Sequence, residues 1–197
     1  EKEFIREVLS EKSSNADRLA ACHALHGMWV DKPPQEIAGV EELVGCLASL
    51  AVDCDRLGYV ALGCMCHLVP IAGEAVAPGV EVALGLARSA DPIVVWTSAT
   101  FLEATMHARS AQALAVLSRP APSKVLLRVA VKWAEAEDIA SSVGEILRIA
   151  WGTGRFRALA GMDIAVDGKR WSASEVLERL GDCTLARQLS ASASEGT

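Results

Sequence analysis

At 197 residues, 51% hydrophobic and 22% charged, the chain is long enough to bury one sizeable core without a disulfide or metal to staple it. Its formal charge of −6, from 25 acidic against 19 basic side chains, argues against a nucleic-acid binder, which needs a basic face for the phosphates. Three Phe and one Tyr among abundant Ala, Leu and Val favour helices over a β-sandwich.

The first helix is expected over about residues 2–11, with Phe4, Ile5, Val8 and Leu9 on one face. Ser13, Ser14 and Asn15 offer caps for a second over 16–30. Asp31-Lys32-Pro33-Pro34 reads as a loop, because proline supplies no amide hydrogen and pushes its predecessor out of helical space. A helix starting at 36 or 40 runs to 52, and another over 54–68 stops before Pro70. Pro78-Gly79 opens the next, ending near Ser89, and Asp91-Pro92 starts one that reaches about Met106. A short helix occupies 110–118 before Arg119-Pro120-Ala121-Pro122 breaks the chain. Residues 123–150 read as two helices divided near Asp138, or as one long helix. Over 164–171, Asp167-Gly168 fits a type I′ hairpin turn, and a non-hairpin loop is the alternative. Ser172 or Ser174 caps a helix around 175–180, Asp182 starts another ending near Leu189, and the Ser/Ala-rich 190–197 is expected to be disordered.

Internal similarity is the most informative feature. Asp17-Arg18-Leu19 recurs 38 residues later as Asp55-Arg56-Leu57, and Gly39-Val40 recurs 40 residues later as Gly79-Val80. A helical period near 40 signals units that each bury one face against the next. The stretch Ile37-Ala38-Gly39-Val40 to Leu47, followed by Asp55-Arg56-Leu57 to Met65, resembles one armadillo unit. Ala77-Pro78-Gly79-Val80 through Asp91-Pro92-Ile93-Val94 to Leu102 resembles the next, and its Asp-Pro start is equally at home in HEAT repeats. The resemblance implies an all-α, right-handed α-solenoid of armadillo/HEAT-like repeats over 1–152, about four units long. Residues 153–189 would form a C-terminal cap and 190–197 a tail. A plain irregular helical bundle is the alternative.

In that family the third helix of each unit lines a concave groove, so residues at i, i+4 and i+8 would face a partner. The partner-binding candidates are Leu19 and His23; Arg56, Val60 and Cys64; Trp96, Thr100 and Ala104; and Glu145, with Gly27, Ser141 and Ile149 completing the stripes. The Trp and Asn ladder by which nuclear-import adaptors of the family hold basic peptides is absent here. The groove is expected to be apolar and lightly charged, suited to a peptide or helix of another protein. Trp96 reads either as an exposed anchor or as core between units.

Cys22-His23-x-x-His26 and Cys64-x-Cys66-His67 lie on equivalent helices of adjacent repeats, where they could approach each other. Zinc needs about four ligands in a tetrahedron, and Cys64 and Cys66 point to different sides of one helix, so no metal and no cofactor is expected. No nucleophile or phosphate-loop motif is present, and Gly152-Thr153-Gly154 reads as a helix stop. Arg155, Arg157, Lys169 and Arg170 beside Trp171 read as a basic edge or as a solvated hairpin.

The expectation is therefore an interaction scaffold or adaptor and not an enzyme. The alternative is a HEAT-like nucleic-acid-binding enzyme such as a DNA glycosylase. The six cysteines, scattered through apolar helical patterns, suit reduced thiols in the cytoplasm. The start, Glu1-Lys2-Glu3-Phe4, has no signal-peptide pattern, and its lack of Met reads as a piece cut from a longer chain. Charges or prolines are expected to keep every apolar run below the ~20 residues of a membrane span.

Overall fold

The computed structural model describes residues 1–54, 57–152 and 161–194. They are mostly helical, with a small two-stranded sheet, and the chain divides into two compact units, Glu1–Gln112 and Ala113–Thr197.

The first unit contains α1 (Lys2–Leu9), α2 (Asn15–Asp31), α3 (Val40–Asp53), α4 (Gly58–Ala72), a 3-10 turn (Gly73–Val76), α5 (Ala77–Leu86) and α6 (Pro92–His107). Local chemistry explains the starts. The Ser14 hydroxyl accepts from the Asp17 amide at 3.2 Å to cap α2, and the Asp91 carboxylate accepts from the Ile93 amide at 2.9 Å to cap α6. Pro92 follows Asp91 at the first helical position, where a missing amide hydrogen leaves no bond unmade. Gly39 enters α3 with φ +72°, a conformation that costs glycine little and is followed by Glu41 and Glu42 at the positive end of the helix dipole.

Helices of this unit pack in two rows. Each helix pairs with its successor, α1 with α2, α3 with α4 and α5 with α6. Along one row α1 touches α3 and α3 touches α5; along the other α2 touches α4 and α4 touches α6. Helix α4 is apolar around its whole circumference because it is covered on several sides at once. Leu62, Met65 and Leu68 have no exposed surface, each contributing about 1.5–3 kcal/mol of burial.

One expectation changes here. Helix α4 does not stop before Pro70 but carries it within its last turn, where the side chain is exposed and only one backbone bond is lost. One apolar stretch is long despite the prolines and acids within it, Pro70, Glu74, Pro78 and Glu81. Gly58–Leu86, taken through the 3-10 turn, is long and apolar enough by composition to cross a bilayer. Half of its most apolar window is buried by the protein's own helices, and a core helix passes the same test.

The second unit takes over within α7 (Ala111–Leu117) and continues with α8 (Pro120–Lys132), α9 (Glu137–Gly152), β1 (Asp163–Val166), β2 (Lys169–Ser172), α10 (Ala173–Arg179) and α11 (Cys183–Ser194). The expected break falls at Ser118 and Arg119, between α7 and α8, and both Pro120 and Pro122 lie past it in the first turn of α8, whose amides need no helical partner. Residues 123–150 are two helices. The 163–172 segment is the hairpin: Asp167 and Gly168 take φ of +50° and +77°, and Ile164 lies across from Trp171. Ser172 and Glu175 form a reciprocal capping box at α10. Helix α11 runs to Ser194, so the start of the expected tail is helical; 195–197 lie outside the described residues.

Candidate functional site

The second row of the first unit encloses a hollow of about 490 Å³ between α2, α4 and α6. Helix α2 contributes His23, His26 and Val30, at helical spacings of three and four. From α4 come Tyr59, Val60, Gly63, Cys66 and His67, and from α6 come Ile93, Trp96, Thr97 and Thr100. The rim is apolar and open: Val30, Ile93 and Trp96 are 60%, 55% and 47% exposed. None of these twelve side chains is a carboxylate, a lysine or an arginine.

Two imidazoles meet in the lining. His67 Nε2 and His26 Nδ1 lie 3.0 Å apart, joining α4 to α2 by a ring-to-ring hydrogen bond. One nitrogen must donate and the other accept, so the neutral pair satisfies both. Burial pushes the His26 pKa below the ordinary value, with the His23 charge adding to it, and burial followed by the His26 charge does the same to His67. Trp29, fully buried beneath, stands edge-on to His67 at 6.2 Å and donates its indole N–H to Glu1 Oε1 at 3.1 Å.

Thr97 and Cys66 are accounted for within the protein. The Thr97 hydroxyl donates to the Ile93 carbonyl at 2.9 Å, one turn back. Burial pushes the Cys66 thiol up to about 12, so it is no thiolate nucleophile at neutral pH. Among the described residues no His, Cys, Asp or Glu joins the two imidazoles as a third ligand position.

The groove candidates divide. His23, Val60, Trp96 and Thr100 come together in the hollow. Ala104, half-exposed, stands one turn beyond it. Leu19 and Cys64 do not line it: both are buried, and the Cys64 thiol donates to the Cys22 carbonyl at 3.1 Å. Cys64 belongs to the α2–α4 seam, where its hydrogen bond with the Cys22 thiol and burial keep it protonated. Arg56 lies outside the described residues, as do Arg155 and Arg157 of the basic edge. Glu145 is in the second unit, on α9, where its carboxylate accepts from Arg148 Nε at 2.9 Å. At the hairpin, Lys169 lies over the Trp171 ring at 3.8 Å, which partly occupies the basic edge.

The core alternative for Trp96 is removed by its exposure. The strict four-residue stripes do not include Val30, Tyr59, Gly63, Ile93 and Thr97, nor His26, Cys66 and His67, which the sequence instead offers as a candidate metal motif. A second depression of about 620 Å³ lies among α3, α5 and the start of α6, with Glu81, Arg88 and Ser89 in its lining. The Cys22, Cys46, Cys54, Cys64 and Cys66 thiols are all unpaired.

Comparison with known protein families, with curated proteins and with solved structures finds no match.

Proposed function

We propose that this chain is an armadillo/HEAT-like helical repeat that binds another protein along the face formed by α2, α4 and α6. The observation that carries the reading is the open hollow on that face, with Val30, Ile93 and Trp96 standing exposed around it. Large apolar side chains kept in water beside a preformed concavity are what a binding surface needs, because their burial drives association. The two-row packing of the first unit and the sequence period near 40 fit stacked helical repeats.

A binding role fits the chemistry of the hollow better than a catalytic one. The His26 and His67 imidazoles are engaged with each other, and Cys66 stays protonated. The described lining offers no cation for a nucleic-acid backbone.

The test is affinity capture from lysate with the full chain, followed by titration of the captured protein in purified form against wild type and Ile93→Asp. The reading expects that exposed substitution to leave the fold intact and to weaken binding by about tenfold or more. Equal affinity in both would place the interface elsewhere.

A further inference from the structure

We infer that Cys22 and Cys64 form a redox-responsive pair, which a hydroperoxide closes into a disulfide that staples α2 to α4. The inference goes beyond the protein-binding reading and stands without it.

Placement comes first. Cys22 lies on α2 and Cys64 on α4, two helices packed against each other, and neither side chain has any exposed surface. Cys64 Sγ is 3.1 Å from the Cys22 carbonyl oxygen and hydrogen-bonds to the Cys22 thiol, so the two thiols meet across the seam. A disulfide brings the sulfurs to about 2.05 Å, and rotation about the two Cα–Cβ bonds is the movement that closes such a gap.

The other described thiols are placed differently. Cys64 and Cys66 are two apart on one helix and point about 200° from each other around it. Cys46 and Cys54 are separated by roughly 12 Å of rise along α3, beyond the reach of a disulfide. Cys66 lines the hollow, away from the Cys22 contact.

The surroundings divide the work between the two sulfurs. The hydrogen bond from Cys64 draws Cys22 below the ordinary thiol value, against the opposing pull of burial and with the Arg18 charge adding to it. The same hydrogen bond and burial hold Cys64 well above that value. Burial pushes Cys66 up to about 12, and burial with the Asp53 charge raises Cys54. Cys22 is therefore the attacking thiolate and Cys64 the resolving thiol.

The chemistry balances with one hydroperoxide. The Cys22 sulfur attacks a peroxide oxygen, the O–O bond breaks, and the departing hydroxide takes up the proton that Cys22 released, leaving a sulfenic acid. The Cys64 sulfur then attacks the Cys22 sulfur, the S–O bond breaks, and hydroxide leaves with the Cys64 proton as water. Two thiols lose two electrons in all, and hydrogen peroxide is reduced to two waters. Because both sulfurs are covered, the oxidant reaches Cys22 when the seam opens locally. The bond joins cysteines 42 positions apart, which removes freedom from the unfolded chain. It also fixes how α2 sits along α4, next to His26 and His67 on the same seam.

The test is to treat the reduced full chain with hydrogen peroxide at neutral pH and to read intact mass, non-reducing peptide maps and urea midpoints. The inference expects a monomer that has lost two hydrogens, a bridge mapped to Cys22 and Cys64, and a raised midpoint that dithiothreitol restores. Cys64→Ala should lose the bridge yet let dimedone trap a sulfenic acid at Cys22, and Cys22→Ala should lose both. A chain combining Cys46→Ser, Cys54→Ser, Cys66→Ser and Cys183→Ser should still close the bridge. The wild-type map decides the matter where a variant fails to fold. A map that joins other cysteines, sulfinic acid at Cys22 without a bridge, or an oxidised chain of unchanged midpoint would overturn the inference.

Discussion

His26 Nδ1 and His67 Nε2 face each other at 3.0 Å across the α2–α4 seam, a contact that holds only while at least one of the facing nitrogens lacks a proton. Both imidazoles have their pKa lowered from the ordinary 6.5, first by burial. The unfolded chain therefore binds more protons than the folded one as pH falls through about 6.5, and stability rises with pH across that window. The stabilisation is fully present above about pH 6.5 and is lost as pH drops through the lowered folded values. Urea midpoints at pH 7.5 and pH 5 should differ in wild type, and His67→Leu should reduce the difference. An unchanged difference in the variant would show that the pair does not carry it.

Trp96 and Trp29 should respond oppositely to truncation. Trp96 is 47% exposed, so Trp96→Ala should change stability by only about 0.5 kcal/mol while weakening partner binding by about 2 kcal/mol or more. Trp29 is 1% exposed and packs beneath His67, so Trp29→Ala should cost about 3–5 kcal/mol. Thermal melts of the two variants side by side check this.

Two glycines separate close helix packing from open surface. A Cβ on Gly58, at the start of α4, would lie 2.1 Å from the Ala51 carbonyl oxygen of α3, and no side-chain movement relieves contact with backbone. Gly58→Ala should therefore destabilise the protein and splay α3 from α4. Gly85 on α5 has nothing within 4 Å of its would-be Cβ, so Gly85→Ala should stabilise by about 0.4–1 kcal/mol through the unfolded chain's lost freedom. Denaturant midpoints should move in opposite directions.

Much of this was legible in the sequence, and the boundary falls at the register between helices. Asp91-Pro92, Ser14 and Asp167-Gly168 announce their local structures because the signal lies within four residues. The groove stripes were harder. A strict step of four residues advances 400° at 3.6 residues per turn, so it drifts about 40° per step away from a fixed face. His23, Val60, Trp96 and Thr100 lie near the centre of that face, and the drift carries Leu19 and Cys64 into the core. The hollow follows alternating steps instead, as in 23, 26, 30 on α2. The meeting of His26 with His67 depends on how α2 slides along α4, which no local pattern specifies. Pro70 does not end α4 because a proline near a helix end costs a single bond, which the buried length of α4 outweighs.

The C-terminal segment is built as a cover for α8. Both β1 and α10 pack against α8, and Ile164, Val176, Leu177 and Leu189 are buried. A chain ending at Gly154 should expose that apolar face of α8 and either aggregate or melt at lower temperature. Light scattering and a thermal melt would show it; a monomeric truncated chain of unchanged stability would give the segment another role.

The central claim is that a partner seats itself in the α2–α4–α6 hollow, and a photo-crosslinking residue placed at Ile93 tests it most directly. That position is exposed and on the rim, so the probe reaches whatever enters without disturbing the core. A defined protein should cross-link from position 93 and not from Glu81, which is exposed on α5 in the other row, and the product should be lost in Trp96→Ala. A cross-link that survives Trp96→Ala, or the same yield from position 81, would contradict the account.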